Sequence, residues 1–255
     1  MNEKNLSMIM NTYQKLMSIC EKGAGYLVLI DPDKKSSNEL TDLAVMCESA
    51  GVDGLLVGGS LLFSTAFDEL IKTLKSAVSI PVILFPGNGR QISGYADAIL
   101  FMTLISGRNA HYLIGEQVHS APVIRSLNLE SIPTGYMLIE SGKTTSAEFM
   151  SASRPIPRHK PEIAVAHAMA GEMLGLKMLY LEAGSGAEHA VPEQMIRAVV
   201  ASVSIPVIVG GGIRDPESAR KKVQAGAAFI VTGSVMEDTG NHDMLESFAQ
   251  AVHNA

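Results

Sequence analysis

The sequence has no tryptophan and only two cysteines, Cys20 and Cys47. Neither lies in a CxxC or a Cys/His cluster, so a zinc ribbon and a disulfide scaffold are both excluded. Both thiols fall in helix-like stretches and are expected to be buried or idle. Unpaired thiols make a reducing cytoplasm the default location. Aromatic residues make up only 5% of the chain. Positive charge is also short: 20 Lys and Arg face 26 Asp and Glu, a formal net charge of -6, which argues against a nucleic-acid surface. No apolar run approaches the ~20 residues that a membrane span needs, and the polar, mixed-charge N-terminus does not read as a signal peptide. The seven histidines form no HExxH. GxSxG, a GxGxxG after the first strand, and GxxxxGK[ST] are missing too. Zinc-protease, hydrolase-triad, dinucleotide and P-loop readings therefore fail.

What remains is a chain of 255 residues that is 47% hydrophobic. Short apolar runs alternate with amphipathic segments along it. Strands are expected at 26–30, 54–57, 82–85, 98–102, 135–139, 178–181, 207–209 and 229–231. The runs are continuous rather than alternating, as in parallel strands buried on both faces. Helical patterns lie at 36–50, 64–77, 110–127, 162–174, 192–203 and 216–225. Eight strands in βαβα order, at this length, predict an α/β fold of one domain over residues 1–255: a (β/α)8 TIM barrel.

Two echoes support that reading. Ser79-Ile80-Pro81-Val82-Ile83 recurs as Ser204-Ile205-Pro206-Val207-Ile208, and Glu48-x-x-Gly51 recurs as Glu172-x-x-Gly175 at nearly the same offset. Each relates elements four strands apart, as two half-barrels would. The segment from Gly87 to Ala96, with Gly87, Gly89 and Gly94, is too short for a barrel helix and two connections. The third helix is expected to be missing or replaced. The polar stretch 141–161, with Arg154-Pro155-Ile156-Pro157-Arg158, reads as a loop.

In a barrel of this kind the chemistry gathers at the C-terminal strand ends. After the seventh strand comes Gly210-Gly211-Gly212-Ile213-Arg214, and after the eighth Thr232-Gly233-Ser234. Glycines let backbone amides approach an anion, and this pair of loops is the usual barrel phosphate site. Tyr180-Leu181-Glu182-Ala183-Gly184-Ser185-Gly186 follows the sixth strand. Its glycines extend the cradle, and Glu182 places a carboxylate where it can meet a substrate hydroxyl or act as a base. After the first strand, Asp31-Pro32-Asp33-Lys34 suits a hard cation that clamps a phosphate, Asp31 being the better ligand. It also suits an Asp-Pro turn with a helix cap. Ser60, after the second strand, is either a further ligand or an N-cap. Phe101, Met102, Leu104 and Ile105 run past the fourth strand. With the third helix missing, they can open an apolar groove or simply fill the core.

The motifs IDPDK, VGGS, LFPG, YLEAGSGA, VGGGIR and VTGS, in this order, resemble the geranylgeranylglyceryl phosphate synthase family, which includes the PcrB-type heptaprenylglyceryl phosphate synthases. The resemblance covers nearly the whole chain, and YLEAGSG followed by VGGGIR is its most specific part. It implies a barrel with a replaced third helix. It also implies prenyl transfer from an allylic diphosphate to the C3 hydroxyl of sn-glycerol 1-phosphate, giving an ether-lipid precursor. On that resemblance, Tyr180 through Gly186, Gly211, Gly212, Gly233 and Ser234 hold glycerol phosphate. Magnesium sits at Asp31 and Ser60 on the diphosphate. The chemistry of that reaction, rather than the resemblance, points to Lys34 for helping the diphosphate leave and to Glu182 for orienting the hydroxyl and taking its proton. The 110–123 region looks closer to the archaeal-type branch, which favours a C20 donor over a C35 donor. The family also implies a homo-oligomer, dimer or hexamer, and leaves room for transient membrane contact without a transmembrane segment. The competing reading is a sugar-phosphate isomerase or lyase on the same barrel. It would need a second catalytic group that the strand ends do not clearly offer.

Overall fold

A computed structural model describes residues 10–233 and 242–255. Its eight strands are β1 (Gly25–Ile30), β2 (Gly54–Val57), β3 (Val82–Leu84), β4 (Ala98–Leu104), β5 (Glu130–Leu138), β6 (Met178–Glu182), β7 (Val207–Gly210) and β8 (Phe229–Thr232). They pair in parallel, in sequence order, and Gly25 opposite Phe229 closes β1 onto β8. The expected TIM barrel is therefore present.

Alternation along each strand sorts the apolar side chains into two layers. Leu27, Leu56, Ile83, Leu100, Ile132, Met178 and Ile208 fill the barrel interior. Val28, Leu55, Leu84, Ile99, Leu179, Leu181 and Val209 face outward into a second core. The helices that cover this second core are α2 (Ser37–Ser49), α3 (Phe67–Ala77), α4 (Glu116–Ser126), α6 (Pro161–Met173), α7 (Glu193–Val200), α8 (Pro216–Gln224) and α9 (His242–His253). A first helix, α1 (Thr12–Cys20), closes the floor. Leu16 is 1% exposed and joins the interior layer, while the Thr12 and Tyr13 amides donate to the Glu130 carboxylate at 2.7 and 3.0 Å.

No helix stands between β3 and β4, as the short spacing predicted. A buried side chain replaces it. Gln91 donates through Nε2 to the Gly59 carbonyl at 2.8 Å, and its Oε1 accepts from the Gly59 and Gly87 amides at 3.1 and 3.3 Å. One amide thus stitches the loop after β2 to the loop after β3. Glu116 at the start of α4 accepts from the Gly89 amide at 2.8 Å and holds the outer part of the same segment.

Three expectations need correction. β5 begins at Glu130 rather than at residue 135, because Pro133 and the polar residues before it hide the strand in the sequence. The expected helix 110–127 opens with a π turn, His111–Gly115, before α4 proper. The Gln117 side chain donates through Nε2 to the Tyr112 carbonyl at 3.1 Å there. The stretch 141–161 is not a plain loop: it carries α5 (Ser146–Ser151), capped by Thr145, and Ile156 pairs with Ile139 at the end of β5.

Candidate active site

The C-terminal strand ends open into a rim cavity of about 420 Å³. Its wall gathers Asp31, Lys34, Ser60, Tyr180, Glu182, Gly184, Ser185, Gly211, Gly212 and Gly233. Most of the residues picked from the sequence therefore meet in one place. Leu181 and Ala183 do not join them: their side chains pack into the outer core, and the Ala183 amide donates to the Gly210 carbonyl at 3.0 Å. Gly186 is exposed and lies off the cavity wall. Ser234 lies outside the described residues.

Glu182 ends β6 at 5% exposure. Burial pushes its pKa up to about 7, opposed by the Gly184 amide, which donates to Oε1 at 2.6 Å, and by the neighbouring Tyr180 hydroxyl. That hydroxyl is itself buried and completes no hydrogen bond of standard geometry. A carboxyl poised near neutrality in a cleft is suited to accept a proton. The backbone around it has no room for larger residues. Gly211 has φ +81°, and a Cβ there would strike Glu182 Oε1 and come within 2.5 Å of the Gly184 nitrogen. Gly184 has φ +99°, and its Cβ would run into Thr145, the cap of α5.

The acidic turn after β1 divides its labour. Asp33 accepts from the Phe63 and Ser64 amides at 2.7 and 2.8 Å, so it holds the loop after β2. Asp31 faces the cavity, with its carboxylate 3.5 Å from where a Gly59 side chain would begin. Asp31 and Ser60 are hard oxygen donors at the same mouth. Among the described residues, no three His, Cys, Asp or Glu side chains are placed to hold a metal by themselves. Magnesium usually takes only one or two carboxylates and completes its shell with water and phosphate oxygens, so this donor set fits it.

A second cavity runs outward from the first. Phe101, Met102, Leu104, Ile92, Ile124 and Met150 are among the residues that line it, between β4, α4 and α5. This is the groove that the overrunning fourth strand and the missing helix suggested, except that Ile105 packs against the outer core and does not line it. Gly59, Ser60, Phe85, Tyr136 and Ala147 line both cavities and mark where they join.

The sequence reading missed Gln91, because a lone glutamine in a glycine-rich stretch carries no pattern. It also missed α5, whose Thr145-x-x-Glu148 capping signal was there to be read.

The model of the PcrB family matches residues 17–252. The chain belongs to the PcrB family. It is 46% identical over 230 residues to the geranylgeranylglyceryl phosphate synthase of Chitinophaga pinensis, covering 90% of each chain. With the enzyme of the same name from Pyrococcus furiosus it shares 47% identity over 222 residues, 87% of this chain and 88% of the relative. Among solved structures, it superposes with a TM-score of 0.92 on the (S)-3-O-geranylgeranylglyceryl phosphate synthase of Thermoplasma acidophilum, crystallised with its substrate sn-glycerol-1-phosphate. That pair is 35% identical, with 97% of this chain and 100% of the other covered. Tryptophan synthase of M. tuberculosis, at 12% identity and a TM-score of 0.62, shares only the fold with this PcrB-family chain.

Proposed function

We propose that this PcrB-family chain is a prenyltransferase that moves a geranylgeranyl group from geranylgeranyl diphosphate to the C3 hydroxyl of sn-glycerol 1-phosphate, forming an ether-lipid precursor. One observation carries the reading: a polar, glycine-lined rim cavity opens directly into an apolar groove. A polar phosphate ester and a long hydrocarbon tail each find a matching chamber, and the reacting ends meet at the junction.

Glycerol phosphate lies against Gly184, Ser185, Gly211, Gly212 and Gly233; the Gly184 amide is held by Glu182, and the other backbone amides can face the phosphate. Glu182 orients the C3 hydroxyl and takes its proton as the new C–O bond forms. Its pKa near 7 leaves it a competent base at neutral pH. Lys34, exposed at the mouth, meets the donor's diphosphate. Asp31 and Ser60 would hold magnesium, which when bound neutralises charge on the diphosphate. The groove takes the tail and excludes water from the junction. A homo-oligomer, dimer or hexamer, and a cytoplasmic setting complete the proposal. Among the described residues no helix is long and apolar enough to cross a membrane.

The test is incubation with sn-glycerol 1-phosphate, magnesium and prenyl diphosphates of increasing length, read by product mass. A C20 ether is expected as the main product. Preference for a C35 donor would move the chain to the heptaprenyl enzymes, and no ether from any donor would reject prenyl transfer.

A further inference from the structure

The chain has seven Phe, six Tyr and no Trp, yet three of these rings touch one another at the junction of the cavities. Phe85 stacks on Tyr180 with centroids 5.2 Å apart and planes at 24°. Tyr136 stands edge-on to Phe85 at 5.9 Å and lies 5.5 Å from Tyr180, its partner in the β5–β6 register. Below this level the barrel interior is mostly aliphatic down to Phe229. Phe85 and Tyr136 line both cavities, while Tyr180 lines only the rim cavity. The rings therefore gather where the head of a donor must pass from its diphosphate pocket into its tail groove.

Ring faces carry negative potential and attract a cation within about 6 Å, more strongly when water is excluded. We infer that Phe85 and Tyr136 are catalytic residues whose ring faces stabilise the positive charge that develops on the donor's allylic carbons, with Tyr180 backing Phe85. This rests on the proposed prenyl transfer. In that step the C1–O bond breaks and its electron pair leaves with the diphosphate. The allylic carbons carry the positive charge. The C3 oxygen of glycerol phosphate supplies the pair for the new C–O bond, and its proton passes to Glu182. A ring face attracts the charge without placing a carboxylate lone pair against it, so it does not trap the donor as an ester. Burial also raises the pKa of Tyr136 and Tyr180 well above the ordinary phenol value, so both rings stay neutral at working pH.

The decisive experiment keeps the shape and drains the ring. Mono-, di- and trifluorophenylalanine are placed at position 85 of the full chain. Single-turnover rates are then measured with geranylgeranyl diphosphate and sn-glycerol 1-phosphate. The rate is expected to fall stepwise with fluorine number, to roughly 10- to 30-fold below wild type for the trifluoro ring. The KM for glycerol phosphate and the Tm should stay close to wild type. A flat rate series would overturn the role of Phe85. For the second ring, Tyr136→Phe should keep the rate within about 3-fold, whereas Tyr136→Leu should lose on the order of 10-fold. Equal losses in both variants would show that the hydroxyl matters and the ring does not. A wild-type chain that makes no product brings down the proposed function and this inference together; an active chain with a flat series brings down the inference alone.

Discussion

A carboxylate buried at a strand end costs stability whenever it is charged. Glu182 has a folded pKa of about 7 against an ordinary value of 4.5. Between those values the folded chain holds a proton that the unfolded chain has released. Its contribution to stability is therefore fully present below pH 4.5 and is lost as pH rises through 7. At about 1.4 kcal/mol per pKa unit, the loss by pH 8 is on the order of 3 kcal/mol. Glu182→Gln keeps the shape and removes the charge. It should melt above wild type at pH 8 and nearly level with it at pH 5. An identical offset at both pH values would show that burial of charge is not the cause. The same variant should lose roughly 100-fold or more in kcat while its KM for glycerol phosphate changes little. An unchanged kcat would remove Glu182 from the proton transfer. Wild-type kcat/KM should also fall as pH drops below about 7, where the free enzyme's base becomes protonated.

The connecting elements decide how firmly the cradle is held. Arg158, from the Arg-Pro-Ile-Pro-Arg segment, donates through Nη2 to the Ala190 carbonyl at 3.4 Å, and Arg214 donates to the Ala187 carbonyl at 2.7 Å. Both clamp the loop after β6. That loop packs tightly on the loop after β7: a Cβ at Gly212 would lie 2.9 Å from the Ala190 nitrogen. Arg158→Ala should therefore raise the KM for glycerol phosphate several-fold and leave kcat and the donor's KM nearly unchanged, with partial rescue by Arg158→Lys. Steady-state kinetics varying each substrate in turn would settle it; a loss confined to kcat would contradict it. Gln91 plays the same part on the donor side. Gln91→Ala removes three hydrogen bonds and leaves half-buried backbone groups of Gly59 and Gly87 without that partner. A loss of about 1–2 kcal/mol is expected in urea unfolding, together with a weaker response of activity to magnesium, because Gly59 leads directly into Ser60. A variant as stable and as magnesium-responsive as wild type would show that the stitch is idle.

The sequence echoes have a physical meaning at this same scale. Glu48 accepts from the Ser79 amide at 2.9 Å, and Glu172 accepts from the Ser204 amide at 2.7 Å. Both carboxylates also take the serine hydroxyl, and both have their pKa lowered chiefly by that hydroxyl. The repeated Glu-x-x-Gly and Ser-Ile-Pro-Val-Ile strings are thus two halves of one clamp, built twice, four strands apart.

Across the whole molecule, the sequence revealed whatever rests on local pattern. Continuous apolar runs gave all eight strands, and glycines after β6, β7 and β8 marked the rim. The short spacing after β3 revealed the missing helix. What it hid depends on contacts between distant segments. Gln91 gains its role only once the loops after β2 and β3 lie side by side. The first half of β5 is disguised by Pro133. Leu181 and Ala183 sit inside a glycine-rich motif, yet strand alternation turns their side chains away from the cavity. No run of residues announced that three rings from β5, β6 and the end of β3 would meet.

The same geometry separates the molecule into a floor that carries stability and a rim that carries chemistry. Leu16 of α1 is 1% exposed and plugs the barrel from below, packed in the interior layer with Leu27, Leu56 and Ile132, while the candidate site opens at the opposite strand ends. Truncating such a leucine costs about 2–5 kcal/mol, since the rigid barrel wall cannot collapse into the space. In a domain of this size that is a Tm lower by roughly 5–15 °C. Leu16→Ala should therefore melt well below wild type yet show the same kcat and the same KM for both substrates at 25 °C, where it is still folded. A fall in kcat without unfolding would mean that the interior layer transmits strain from floor to rim, and that the two ends of this barrel are mechanically coupled.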